Sequence, residues 1–315
     1  MTDVAGLALP FFGLIFLGFL CGRIGKAPQS GLAWFNIYIV YVAVPALYFV
    51  LISKTPFEEL ANVGFVAATT AATFTAFLLS LGIGLVASGG RLPEAAIQGA
   101  AGSYSNVGYM GPGLTLATLG PAAAAPTALI FVFDCTLLFT LVPLLMSISG
   151  PRHQSPWVTA GLVLRRIVFH PFNIATVVGG LAAYFHYAPP EPVMRMVTLL
   201  SGSAAPCALF MMGVTVALAP LTRIPLELPA LVTVKLLVHP LIVFGILQLV
   251  GGFDPVWVAT AVLMASLPPA LNVFVMASQY GVYVERASSV ILVGTVCSVL
   301  TVTGLLALIV GGWLD

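Results

Sequence analysis

Proline and glycine interrupt the apolar stretches of this chain at matched places in its two halves, and that duplication limits the available folds more than any other feature. Val44-Pro45-Ala46-Leu47-Tyr48-Phe49 is echoed by Ala205-Pro206-Cys207-Ala208-Leu209-Phe210, Gly89-Gly90 by Gly251-Gly252, and Asn106-Val107-x-x-Met110 by Asn272-Val273-x-x-Met276. The offsets are 161, 162 and 166 residues. Paired broken segments of this kind mark membrane folds made of two repeats, with an interior site where the halves meet.

Composition places those breaks in a bilayer. Of 315 residues, 60% are hydrophobic and 7% charged, against roughly 25% charged in soluble domains. Ten apolar stretches can be drawn, at 4–22, 31–52, 61–88, 93–119, 124–148, 161–185, 192–219, 226–250, 254–281 and 284–312, each able to cross a hydrocarbon core of roughly 30 Å. The first has no basic residue before it and no small-residue cleavage site near Leu20-Cys21, so it is expected to be a retained span. Cys21, Cys135, Cys207 and Cys297 are widely spaced within apolar stretches, which suits buried hydrophobes and not a disulfide frame or metal cluster. A net charge of +1 without any basic run gives no reason to expect nucleic acid.

Short loops rich in Lys and Arg stay in the cytoplasm. On alternate sides of ten spans, Arg23, Lys26, Arg91, Arg152, Arg165, Arg166, Arg223 and Arg286 fall together, and Lys54 and Arg195 fall opposite. Both termini are therefore expected outside. Five spans per half is an odd number, so residues 151–315 enter the membrane inverted relative to residues 1–150, with the hinge in the polar segment Gly150 to Trp157.

The fourth and ninth spans carry the chemistry. Ser103-Tyr104-Ser105-Asn106-Val107-Gly108-Tyr109-Met110-Gly111-Pro112-Gly113 and Ser266-Leu267-Pro268-Pro269-Ala270-Leu271-Asn272 are poor helix formers, because proline removes a donor and glycine costs up to about 1 kcal/mol relative to Ala. Unwound backbone survives in a membrane only inside protein or beside a wet cavity, so both breaks are expected to face the interior. If the two spans cross there, two positive helix ends converge and attract an anion. Asn106 and Asn272 add amide donors for a carboxylate, or alternatively serve as interhelical glue and caps. Tyr104, Tyr109, Met110, Phe274 and Met276 would stack on an aromatic acid or simply pack. Pro45 and Pro206 are expected to kink the second and seventh spans.

Charge within a span is costly and marks function by default. Asp134 in the fifth span is a candidate proton carrier, though it would repel a carboxylate unless protonated or paired. Lys235 and His239 share a face of the eighth span at a spacing of four, and Lys235 either acts there or snorkels to the cytoplasmic end. His170 is read as a core histidine. A salt bridge between Asp134 and Lys235 would neutralise both and replace a coupling ion. With one obvious intramembrane carboxylate, sodium coupling is ranked below proton coupling or facilitated movement. No His-Glu-x-x-His, Gly-x-Ser-x-Gly or acidic metal cluster is present in the sequence, so an intramembrane enzyme is not expected, nor is any cofactor.

Ser105-Asn106-Val107-Gly108-Tyr109-Met110-Gly111-Pro112, Leu267-Pro268-Pro269-Ala270-Leu271-Asn272-Val273 through Tyr280-Gly281, and Val44-Pro45-Ala46-Leu47 resemble the auxin efflux carrier family over essentially the whole chain. That family includes plant PIN-type auxin exporters and bacterial transporters assigned to malonate and related dicarboxylates. The resemblance implies an all-α fold of ten spans in two inverted five-helix repeats, shared with bile-acid sodium symporters, and a homodimer in the inner membrane. It implies a scaffold of spans 1, 2, 6 and 7, and an elevator-like transport domain of spans 3–5 and 8–10. Asn106 and Asn272 match the crossover asparagines that hold the carboxylate, with Ser105, Gly108, Tyr109, Pro112, Pro269 and Val273 around them. The long cytoplasmic loop of many plant members is lacking. A carrier of small carboxylates is expected, against the alternatives of a sodium-coupled symporter, a channel or an anion sensor.

Overall fold

The computed structural model describes residues 4–25, 29–149, 161, 164–165, 168–218 and 226–312. The expected hinge at 150–157, and Lys26, Arg152, Arg166 and Arg223 of the charge count, lie outside the described residues. Among the described residues all regular structure is helical, apart from one isolated antiparallel bridge between Ser105 and Pro269.

The first half comprises α1 (Val4–Gly25), α2 (Gln29–Tyr38), α3 (Val44–Ser53), the short α4 (Phe57–Leu60), α5 (Val63–Ala87), α6 (Leu92–Ser103), α7 (Gly111–Leu119) and α8 (Ala124–Ser149). The second comprises α9 (Pro171–Tyr184), α10 (Glu191–Leu218), α11 (Leu228–Thr233), α12 (His239–Val250), α13 (Pro255–Ser266), α14 (Asn272–Tyr280) and α15 (Val284–Val310). Seven helical stretches among the described residues are long and apolar enough to cross a membrane, which makes this a polytopic membrane protein. The other expected spans are shorter pieces: the fourth is α6 and α7, the ninth is α13 and α14, and α9 lies in the sixth.

Both interruptions stand where proline and glycine predict them. The chain leaves helix at Tyr104–Met110 and resumes at Gly111, with Pro112 in the first turn of α7 where its missing N–H costs nothing. It leaves again at Leu267–Leu271 and resumes at Asn272. The matched glycine pairs also have a physical reason: Gly89 and Gly90 have φ of +63° and +85°, and Gly251 and Gly252 have +69° and +77°. Left-handed backbone at both turns excludes side chains at little cost only for glycine.

The proline pair behaves differently from expectation. Pro45 follows a π-helical turn, Ile39–Ala43, in which the Val44 N–H reaches back to the Ile39 carbonyl. Pro206 lies inside α10, which runs unbroken past it, so Pro206 is not a break. The local structure at Pro45 recurs instead at Pro240 of the eighth span, which follows the π turn Val234–Val238, where the His239 N–H reaches Val234. Each proline withdraws one backbone donor, and the wider turn absorbs the mismatch.

Two groups of helices pack around separate seams. α1 lies along α10 so closely that a Cβ on Gly18 would collide with the Phe210 carbonyl and one on Gly213 with the Ile15 carbonyl. α3 completes this group against α9 and α10. In the other group α5 packs on α6, α8 and α12, while α13 packs on α8, α12 and α15. The starts of α11 and α15 are fastened by Glu227, which accepts from Tyr283 Oη at 2.6 Å and from Arg286 Nη1 at 3.3 Å. Burial, and then Glu227, hold the Tyr283 phenol above its usual range, so it remains a donor.

Candidate anion site at the crossing of two broken helices

The site begins with two carbonyls that lose their helical partners. In α13 the carbonyls of Met264 and Ala265 would accept from residues 268 and 269, but both are proline. The Leu267 N–H takes the Met264 carbonyl at 3.4 Å. Ala265 is served from outside its own helix, by Ser105 Oγ at 3.2 Å and by the Lys235 ammonium. A polar residue of the first break and a cation from the eighth span thus repair what the second break leaves open.

The breaks also repair each other. The Asn106 N–H donates to the Pro268 carbonyl at 2.9 Å, and the Ala270 N–H donates to the Tyr104 carbonyl at 2.9 Å. This short antiparallel bridge holds the starts of α7 and α14 beside the crossing, and both helices bring the partial positive charge of their first turn. Space there is tight: a Cβ on Gly111 would sit 2.6 Å from Met264 Sδ, and one on Gly294 would sit 2.6 Å from the Pro269 ring.

The two asparagines have different surroundings. Asn272 Nδ2 donates to Tyr104 Oη at 3.1 Å, and that hydroxyl in turn lies 3.1 Å from Cys135 Sγ. Asn106 is buried, with Nδ2 3.3 Å from Met212 Sδ of α10. A cavity of about 710 Å³ opens beside the crossing, and its walls include Asn272 and Tyr109. Of the other candidates, Ser105, Asn106, Gly108, Pro112, Pro269 and Val273 stand behind the wall and do not line it. Behind the lining ring of Phe172, Tyr48 stacks on Phe131 at 4.0 Å, with Phe131 in turn against the Gly108 backbone.

Sequence reasoning missed several lining groups: Asn36 from α2, Thr136 from α8, and Arg165 ahead of α9. His170 also lines the cavity and stacks on Phe139 at 5.7 Å. Arg165 was legible only as a loop charge.

Behind the crossing lies a second polar group, fully enclosed. Thr73 of α5 hydrogen-bonds both the Asp134 carboxyl and His239 Nε2, the latter at 3.3 Å. Asp134 and Lys235 are near enough to act on one another electrostatically. They do not form an ion pair; among the described residues the pairs are Arg91–Glu94, Arg195–Glu191 and Arg286–Glu227. The sequence leaves open whether the two meet; here the Lys235 ammonium donates to the Ala265 carbonyl.

Helices too apolar for water, two interrupted spans bonded break to break and an amide-lined cavity beside them define a polytopic membrane transport protein. The sequence profile of the family described as "Membrane transport protein" matches residues 4–306, and the chain belongs to that family. This bears out the resemblance to the auxin efflux carriers. Among relatives, it is 50% identical over 312 residues to a protein of Rhizobium meliloti (strain 1021) described as "Putative malonate transporter", covering 99% of this chain and 98% of that one. It is 24% identical over 294 residues to an "Uncharacterized transporter" of Methanothermobacter thermautotrophicus (strain Delta H), covering 91% and 92%.

Proposed function

We propose that this protein is a secondary carrier of small carboxylates, with malonate the first substrate to test, and that the anion sits at the crossing of the broken fourth and ninth spans. The observation that carries the reading is the bridge of Ser105–Asn106 to Pro268–Ala270 beside a cavity bordered by Asn272. Two helix N-termini and an amide there offer donors to a carboxylate without a permanent buried charge.

The same reading takes the chain as ten spans in two inverted repeats. The α1–α3–α9–α10 group serves as scaffold, and the group around the crossing moves against it as an elevator, within a homodimer of the inner membrane with termini outside. The separate packing seams of the two groups favour such a division. Lys235 holds the orphaned Ala265 carbonyl, and Asp134, joined through Thr73 to His239, carries the coupled proton.

Counterflow in proteoliposomes tests the core of this. Vesicles are loaded with unlabelled malonate or indole-acetate, trace label is added outside, and wild type is compared with Asn272→Ala and Asn106→Ala. Transient label accumulation in the wild type, lost on Asn272→Ala with folding intact, is the expected result. Full activity without both asparagines would sink the site, and absence of accumulation with any carboxylate would sink the function.

A further inference from the structure

The cavity beside the crossing has a chemical asymmetry that the crossing itself does not explain. It runs along α14 from Asn272 to Tyr280, a rise of about 12 Å at 1.5 Å per residue. It follows α8 from Cys135 to Pro143 over a similar distance. Its inner end is set by the chain of contacts Cys135–Tyr104–Asn272. Its middle is marked by Phe139, whose ring lies 6.0 Å from that of Tyr104 and 5.7 Å from that of His170. Arg165 lines the same cavity ahead of α9, and its carbonyl accepts from the Phe169 N–H at 3.0 Å.

Among the described residues lining this cavity, Arg165 is the one formal cation and none is an acid. It makes no ion pair among the described residues. This arginine, which has no counter-ion among the described residues, lines a cavity whose far end is built of neutral donors. Such a wall concentrates anions. Neutral donors suffice for one carboxylate, but a guanidinium matches a second one in a planar, two-pronged geometry.

We propose that Arg165 reads the second carboxylate of a short dicarboxylate whose first carboxylate is held at Asn272, so that it sets the preference for a dianion over a monoanion. This rests on the carboxylate-carrier reading above and names the substrate class of that same site. Arg165 is exposed, so its replacement leaves the packed core untouched.

The test uses binding, which does not require turnover. Ligand-induced thermal stabilisation of the purified protein in detergent is measured with malonate and with malonamate, which keeps the shape and replaces one carboxylate by a neutral amide. In the wild type malonate binds about 10- to 100-fold more tightly than malonamate, the span expected for one charge-assisted hydrogen-bonded contact. Arg165→Gln brings the two ligands to within about threefold by weakening malonate alone, and Arg165→Lys restores part of the gap. An unchanged malonate-to-malonamate ratio in Arg165→Gln overturns the proposal, as does an equal loss of both ligands, which is the signature of a charge that serves only fold or orientation. Wild type that binds neither ligand overturns the carrier reading, and this inference with it. Loss of both ligands in Asn272→Ala but of malonate alone in Arg165→Gln supports both readings separately.

Discussion

Lys235 shows how far a single residue can be read from a sequence. Its spacing from His239 suggests two groups on one helical face, but the intervening Val234–Val238 segment is a π turn, which changes the angular relation. Its side chain is fully buried and bonds the carbonyl that Pro269 leaves open, so its partner is backbone of another span. No spacing rule encodes that. Asp134 depends on this arrangement, since a nearby ammonium offsets part of the cost of a buried carboxyl. Lys235→Met should therefore lower stability by about 1–3 kcal/mol, and adding Asp134→Asn should recover much of the loss. Thermal melts of the wild type, both single variants and the double variant in one detergent give the coupling, expected at about 0.5–3 kcal/mol. Strict additivity would mean that the two side chains do not sense each other. The asparagines teach the same lesson: motif matching finds both, but the direction of each amide is set by Met212 and Tyr104, which belong to other elements.

Breaks, in contrast, were legible at the level of elements, because proline and glycine act through their own backbone. Both interruptions fall within the segments named from sequence, and the turns at Gly89-Gly90 and Gly251-Gly252 follow from left-handed φ. The π turns were not legible. A lone proline in an apolar run is compatible with a kink, a π turn or a continuous helix, and Pro45, Pro240 and Pro206 sample these outcomes differently. What decides is whether neighbouring helices leave room for the displaced turn, which is a property of packing. Pro269 offers a sharp test. Pro269→Ala returns an N–H to the Ala265 carbonyl, so α13 can extend by one bond and compete with Ser105 and Lys235 for that acceptor. The expected outcome is a melting temperature at or above wild type with counterflow reduced at least about tenfold, equivalent to roughly 1.4 kcal/mol of lost site geometry. Wild-type flux from this variant would show that the proline serves only to end the helix.

At the scale of the whole molecule, composition sufficed for a polytopic membrane protein, while the two packing groups and the cavity between elements of both required three dimensions. The cavity has a direction. Its walls come from Asn36 near the start of the second span, Pro143 near the end of α8, Arg165 ahead of α9, and Gln279 and Tyr280 at the end of α14. These helix ends are those that adjoin Arg23, Arg165 and Arg286. If the positive-inside rule orients this chain, the cavity opens to the cytoplasm. Replacing Cys21, Cys135, Cys207 and Cys297, which are all free thiols, gives a background for placing single probes at Asn36→Cys and Val275→Cys. A membrane-impermeant maleimide should label both from the cytoplasmic face in inside-out vesicles, and malonate should slow labelling at Val275→Cys, which lies one turn beyond Asn272. Labelling of both from the external face alone would invert the orientation. Labelling that malonate never slows, at any concentration that supports counterflow, would separate the cavity from the substrate path, because a ligand at Asn272 must exclude reagent from the wall it occupies.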